Sequence, residues 1–412
     1  MKKLLYIALL FVLVACEDKY EIAHRYNRPY NIFKDYPIYL DASEILVDIQ
    51  VKPSINPDNA FKIVSNGNYY FVGEKMKGIH VFDKTGNPLC FIECKYLKAF
   101  DIADNMLYCN NFVDLLVIDV KNPLNAKIEH REKDYFNKYY NSSYNSPYYS
   151  NYPVAGVDVY YVGNKRIVLE GIETDANPAP DFSEYDQLYT NFIVKGIPDD
   201  IQLDRPYVGF ANVEGNIFTF GFNSLAQCSY TSGEIRITQW GTNFLNYTLV
   251  MPTSNLQYKD GMILVIGNNG FWYLDYHNIM TQSQNHYSQY NLFDVVSLKG
   301  SANSFAMVSN HGGSFKGTTL YFIIGQDFWG WGQEFWYTKS LINVNDIVFD
   351  LGNHLRLYAP FVQDVTYEWF MLKYPNISGS CMLKDDNILA VANQQGLLLY
   401  DITDLENITL IP

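Results

Sequence analysis

Four segments of this 412-residue chain carry one pattern. They are Asn68 to Val72 with Gly78 to Asp83, Asn105 to Cys109 with Asp114 to Asp119, Met262 to Ile266 with Gly270 to Asp275, and Asn387 to Val391 with Gly396 to Asp401. Each has an apolar run, a short polar connection, a Gly or Asp, four mainly apolar residues and a closing Asp, which reads as one β-hairpin repeated. The turn feeding each hairpin also recurs, in residue types that tolerate positive φ. It is found at Gly67-Asn68, Asp104-Asn105, Gly163-Asn164, Gly215-Asn216, Asp260-Gly261, Gly317-Thr318, Gly352-Asn353 and Asp386-Asn387, a mean step of about 46 residues.

A period of this size with strands throughout predicts an all-β fold, a β-propeller of four-stranded antiparallel blades. The full unit is clearest from residue 98: Lys98 to Ala103 innermost, then Asn105 to Cys109, Leu115 to Val120 and Ala126 to Glu129. Eight turn signals favour eight blades. The two shortest steps are adjacent, which leaves seven as the alternative. Leu115-Leu-Val-Ile118 and Leu397-Leu-Leu-Tyr400 are apolar without alternation, so both faces of their sheets must be covered, as radial stacking would do. The closing Asp of each hairpin is placed to accept a backbone N–H two residues on, in an Asx turn. Ile45 to Val51 is expected to close the ring by pairing with the last blade.

Composition fits this reading. With 48% hydrophobic and 18% charged residues the chain is too apolar for disorder, and 35 Tyr with 26 Phe favour strands. The formal charge of −14 argues against nucleic-acid binding through a basic surface. Leu115-Leu-Val-Ile-Asp-Val-Lys-Asn-Pro123 resembles the LVIVD repeat of bacterial extracellular β-propeller proteins, and Gly396-Leu-Leu-Leu-Tyr-Asp-Ile-Thr-Asp404 is similar. The resemblance implies a propeller in a secreted or lipoprotein setting. It brings no catalytic residues.

The N-terminus gives an address. Lys2 and Lys3 precede an apolar run, Leu4 to Val14, which has the form of a secretory signal and is too short to span a bilayer. Leu13-Val14-Ala15-Cys16 resembles the bacterial lipobox, which implies cleavage after residue 15 and acylation of Cys16; several acyl chains on one residue give a stable anchor. Glu17-Asp18 resembles the surface-export signals of Bacteroidota lipoproteins. Residues 1–15 are therefore expected to be a signal peptide, 16–35 a lipidated polar tether and 36–412 a single propeller domain, carried by an outer-membrane lipoprotein facing the periplasm or the cell surface.

Cys90, Cys94, Cys109, Cys228 and Cys381 follow. Cys90 and Cys94 lie on one strand about 13 Å apart and cannot bridge each other. Buried free thiols are the expectation, and pairing of Cys109 with Cys90 or Cys94 from a neighbouring strand is the alternative. No Cys/His spacing suggests a metal site, and no cofactor motif is present. His80 and His277 flank repeat strands and are expected to be structural.

Interruptions of the repeat mark candidate binding loops. Asp134 to Pro153 holds seven Tyr among 20 residues, including Tyr139, Tyr140, Tyr144, Tyr148 and Tyr149, in the Tyr/Asn/Ser composition of paratopes and sugar sites. Phe328 to Tyr337 holds three of the six Trp, and its ligand-binding candidates are Phe328, Trp329, Trp331, Phe335, Trp336 and Tyr337. The alternatives are a compositionally biased loop and burial between blades. Glu173 to Glu184 collects acidic residues but lacks the spaced carboxylates of a calcium loop. No catalytic elbow, zinc motif or phosphate loop occurs, and His311-Gly-Gly-Ser314 has no nucleophile elbow to serve. The expectation is a lipid-anchored, non-catalytic binding module for a polysaccharide or an envelope protein. A glycan-active enzyme with channel-mouth carboxylates and a pure scaffold of an outer-membrane complex are the alternatives.

Overall fold

A computed structural model describes residues 38–41, 47–111, 114–133, 135–138, 157–162, 165–170, 208–221, 224–231, 233–240, 253–259, 262–267, 270–275, 283–287, 291–297, 305–310, 318–324, 327–329, 339–345, 347–363, 366–373 and 376–412. Two compact units emerge. One takes Met1–Glu44 and Asn141–Leu203, the other Ile45–Tyr140 and Asp204–Pro412. In the smaller unit, Lys165–Glu170 pairs antiparallel with Val157–Val162 on one side and Ile38–Asp41 on the other. This three-stranded sheet holds the hairpin signalled by Gly163-Asn164.

Among the described residues the larger unit holds seven antiparallel sheets, six of four strands in sequence order and one of five, in which four consecutive strands are joined at one edge by Gln50–Lys52. Their first strands are Ala60–Ser65, Phe100–Ala103, Gly209–Val213, Thr253–Lys259, Asn291–Ser297, Ser340–Val344 and Cys381–Asp385. Each first strand lies beside that of the next sheet, and the seventh lies beside the first. The repeated hairpin is the second and third strand of its sheet in all four places, with one register. Tyr69 is opposite Asp83, Met106 opposite Asp119, Met262 opposite Asp275 and Ile388 opposite Asp401.

Burial explains why these strands do not alternate. In the first sheet Phe71 packs toward the second sheet with Phe100, Leu107, Leu116 and Ile118, while Tyr70 and Val72 pack toward the seventh with Ala390, Ala392 and Leu397. In the second sheet Leu116 and Ile118 face the first sheet, and Leu115 and Val117 face the third, where Phe210 and Ile217 meet them. Leu389 and Val391 of the seventh sheet pack with Phe349 and Leu357 of the sixth. Successive residues thus point into two different seams, and each is shielded by a different neighbour.

The closing aspartates form the expected Asx turns: Oδ1 of Asp83, Asp119 and Asp401 accepts the backbone N–H of Thr85, Lys121 and Thr403 at 2.9, 2.8 and 2.8 Å. Several first turns do use positive φ, at Gly67 (87°), Asp104 (53°), Gly215 (86°) and Asp386 (52°). Two signals mark a different turn. Thr318 opens the third strand of its sheet, and Gly352-Asn353 connects the second and third strands of the sixth, whose first turn is at Asn345 (φ 53°).

The expected pairing of Ile45 to Val51 with the last sheet is corrected. Gln50–Lys52 pairs instead with the last strand of the first sheet, Pro88–Glu93, setting Val51 opposite Ile92. There it covers an otherwise open strand edge and packs Ile49 and Val51 against the seam between the first two sheets.

Candidate functional site

Among the charges on the first strands, Lys62, Asp101 and Asp385 are tied from sheet to sheet. Lys62, central in Ala60–Ser65, reaches past the second sheet's first strand. Its Nζ lies 2.6 Å from Asp101 Oδ2 and donates to the carbonyl of Phe210 in the third sheet at 3.0 Å. The Asp101 carboxylate also accepts Ile102 N–H at 2.8 Å, and Asn212 Nδ2 donates to the Ile102 carbonyl at 2.6 Å. One lysine therefore braces three successive inner strands. The Lys62 side chain keeps 25% and Asp101 11% of their exposure, so this wall is solvent-touched yet already charge-balanced.

A second cluster sits where the second and third strands of the first sheet meet. His80 is buried, with Nδ1 3.0 Å from the Ile55 carbonyl and Nε2 2.8 Å from Glu74 Oε2, and its ring lies 4.7 Å from that of Phe91. Lys77 is ion-paired to Glu74 and approaches Asp58 at 3.8 Å. Burial pushes the Glu74 carboxyl up, but its bonds to Lys77 and His80 outweigh that and hold it below the ordinary value; Glu74 in turn raises Lys77. Asp58 also accepts from Gln394 of the seventh sheet at 3.5 Å. His80 thus lies inside the third strand, Gly78–Asp83, with both ring nitrogens partnered, and His277 falls outside the described residues.

At the opposite end, Lys84 pairs with Asp385 of the seventh sheet, donates to Ser65 Oγ at 2.9 Å and lies 4.2 Å from the Tyr70 ring centre. Asn66 donates to Asn105 at 3.3 Å, joining the first turns of sheets one and two, and Tyr258 on the first strand of sheet four donates to Glu214 in the first turn of sheet three at 2.8 Å. Among the described residues no group of three His, Cys, Asp or Glu is placed to hold a metal ion, and no helix is long and apolar enough to cross a membrane.

Of the residues singled out in the sequence, Phe328 and Trp329 lie in Asp327–Trp329, the last strand of the fifth sheet, opposite Ile323 and Phe322. Trp331, Phe335, Trp336, Tyr337, Tyr139, Tyr140, Tyr144, Tyr148, Tyr149, Cys16 and the acidic stretch from Glu173 to Glu184 fall outside the described residues. The Lys62–Asp101–Phe210 brace was not anticipated. Its only trace in the sequence is a charge in the middle of each of two apolar strands, Ala-Phe-Lys-Ile-Val and Phe-Asp-Ile-Ala.

No family model and no curated protein matches the chain. Among solved structures, the WD40 β-propeller domain of Doa1 is similar at a TM-score of 0.45 and 6% identity, over 90% of this chain and 96% of that one. PorZ, a surface component of the type-IX secretion system of Porphyromonas gingivalis, gives 0.43 and 9% over 88% of this chain. The extracellular domain of BT4673 from B. thetaiotaomicron gives 0.43 and 12% over 85%. The chain spans 39% of the length of each of these last two.

Proposed function

We propose that the larger unit is a closed seven-bladed propeller of the LVIVD type, tethered to the outer membrane through lipidated Cys16 and residues 16–35, and acting as a non-catalytic binding module. The contact of the seventh sheet's first strand with that of the first sheet supports closure, together with the apolar seam of Tyr70, Val72, Ala390 and Leu397. Seven rather than eight blades is supported by Val157–Val162 and Lys165–Glu170, the strands either side of the Gly163-Asn164 signal, pairing in a three-stranded sheet of the smaller unit.

The observation that carries the binding reading is the Lys62 brace. The inner-strand carboxylates Asp101 and Asp385 are already ion-paired, to Lys62 and Lys84, and Asp101 also accepts a backbone N–H, which suits a rigid wall rather than an acid or base poised for turnover. Rigid sheets then present the segments that interrupt the repeat, and the Tyr-rich 134–153 and Trp-rich 328–337 stretches have the composition of sugar- or protein-contacting surfaces. The partner is accordingly a polysaccharide or an envelope protein.

The test is a glycan panel read both for binding and for new reducing ends, with parallel affinity purification from membranes. Retention of a glycan without new reducing ends, weakened by Trp331→Ala or Tyr148→Ala, is expected. Release of reducing ends would replace the binding reading with the glycan-active one, and recovery of envelope proteins with no glycan retained would favour the scaffold. Cys16→Ser is expected to move the protein from the membrane to the soluble fraction.

A further inference from the structure

All five described cysteines are unbridged and buried, but two of them meet. Cys94 follows the last strand of the first sheet and Cys109 lies on the second strand of the second sheet. Their sulfurs are 4.0 Å apart inside the apolar seam that joins the two sheets. Both positions are fixed: Cys94 N–H donates to the Lys77 carbonyl at 3.0 Å, and Cys109 is registered between Phe100 and Leu116. The other three sulfurs have other partners or settings. Cys90 faces the Pro123 carbonyl at 3.6 Å, Cys228 contacts the Tyr135 hydroxyl at 3.0 Å, and Cys381 packs in the seam between the last and first sheets.

We propose that Cys94 and Cys109 are a modification site, oxidised to a disulfide that staples the first sheet to the second. A disulfide needs the sulfurs to approach by a further 2 Å or so, within the reach of small side-chain and strand adjustments. The oxidant is a disulfide of the glutathione or protein-disulfide class. One cysteine thiolate attacks it and expels a thiolate, forming a mixed disulfide; the other cysteine thiolate then displaces the second half. Two cysteine protons and two electrons leave the chain, and the oxidant departs as two thiols. Burial raises the Cys109 thiol well above its ordinary value, so the closed seam disfavours the attacking thiolate. The bond therefore forms while the seam is still open during folding, and afterwards resists reductant in the folded protein. It is set by the geometry of the sheets and does not depend on which ligand the protein binds.

The experiment refolds the full chain carrying Cys16→Ser in a buffer of reduced and oxidised glutathione, and separately recovers it from an oxidising periplasm without added reductant. Each sample is alkylated in denaturant and peptide-mapped. The expected result is one linked peptide pair containing Cys94 and Cys109, a chain lighter by two hydrogens, and alkylation confined to Cys90, Cys228 and Cys381. Cys94→Ser should abolish the linked pair and leave all four remaining thiols alkylated. In the unsubstituted pair, dithiothreitol should cut the bond far faster in denaturant than in native buffer. Alkylation of all five cysteines in soluble protein from both preparations, or a link joining any other pair, overturns the proposal.

Discussion

Gly73 is the sharpest place to test the packing between sheets. It lies on the second strand of the first sheet, opposite Lys62 on one side and Ile79 on the other. A Cβ there would stand 2.3 Å from Cε1 and 2.9 Å from Cδ1 of Phe100, and 2.9 Å from Cε1 of Phe61. Phe100 comes from the second sheet, is fully buried, and meets Phe61 edge-on with ring centres 5.8 Å apart. An alanine replacing a strand glycine ordinarily gains roughly 0.5–1 kcal/mol. Overpacking a filled core costs about 1–3 kcal/mol, so Gly73→Ala should be destabilising by roughly 1 kcal/mol net. In a Phe100→Leu background the same substitution should be neutral or stabilising, a coupling of about 1–3 kcal/mol between residues of different sheets. Urea and thermal midpoints of the four proteins of this cycle are the assay, compared as shifts because a chain of two units need not unfold in one step. Stabilisation by Gly73→Ala in the wild-type background, or an equal effect in both backgrounds, would refute the reasoning.

Three further outcomes follow from the same contacts. Buried Asn110 accepts from Lys98 N–H at 2.8 Å and Ala99 N–H at 3.0 Å and donates to the Tyr96 carbonyl at 3.0 Å, so Asn110→Ala should cost roughly 2–4 kcal/mol by stranding the linker between the first two sheets, read as a lowered urea midpoint. Glu74 is held below its ordinary carboxyl value of 4.5, so its contribution is complete above that pH and is lost as the pH falls below it; the thermal midpoint should drop on acidification from pH 5 to 3, and Glu74→Gln should flatten that drop. Lys62→Met should destabilise more than Lys52→Met in thermal melts, because Lys62 braces three strands from a partly buried position whereas Lys52, 44% exposed, pairs with Glu93 at 2.7 Å, a surface pair contributing at most about 1 kcal/mol.

Much of the fold was legible because its cause is local. Leu115-Leu-Val-Ile118 lacks alternation, and the structure sends its alternate residues into two different seams. The closing aspartates announced their turns because an Asx turn needs only one side chain and a backbone amide two residues on. Strand order within a sheet was less secure. A Gly-Asn dipeptide serves any tight turn, so Gly352-Asn353 was read as a first turn although it is a second. The sheet-to-sheet ties were not legible, because Lys62 finds its partners 39 and 148 residues away and only the stacking of sheets selects them. Sequence also favoured closure by Ile45 to Val51 on the last sheet, whereas the nearer open edge of Pro88–Glu93 takes Gln50–Lys52. The candidate aromatic segments declared themselves through composition, which names a chemistry without placing it. Within them Phe328 and Trp329 are described on a strand rather than in a loop, and Tyr135 and Phe136 in a short helix, Tyr135–Lys138, where both rings are buried.

Whether the last sheet seals against the first is tested most directly by zero-length carbodiimide coupling. Lys84 and Asp385 are 301 residues apart in sequence yet ion-paired, with side chains 33% and 28% exposed, so a reagent that joins only touching amines and carboxylates should produce one cross-linked peptide pair from them. Lys52 and Glu93, paired within the first sheet, provide the internal control. The ring predicts both isopeptides at comparable yield in the folded monomer and neither in denaturant. A strong Lys52–Glu93 product with none between Lys84 and Asp385 would contradict it.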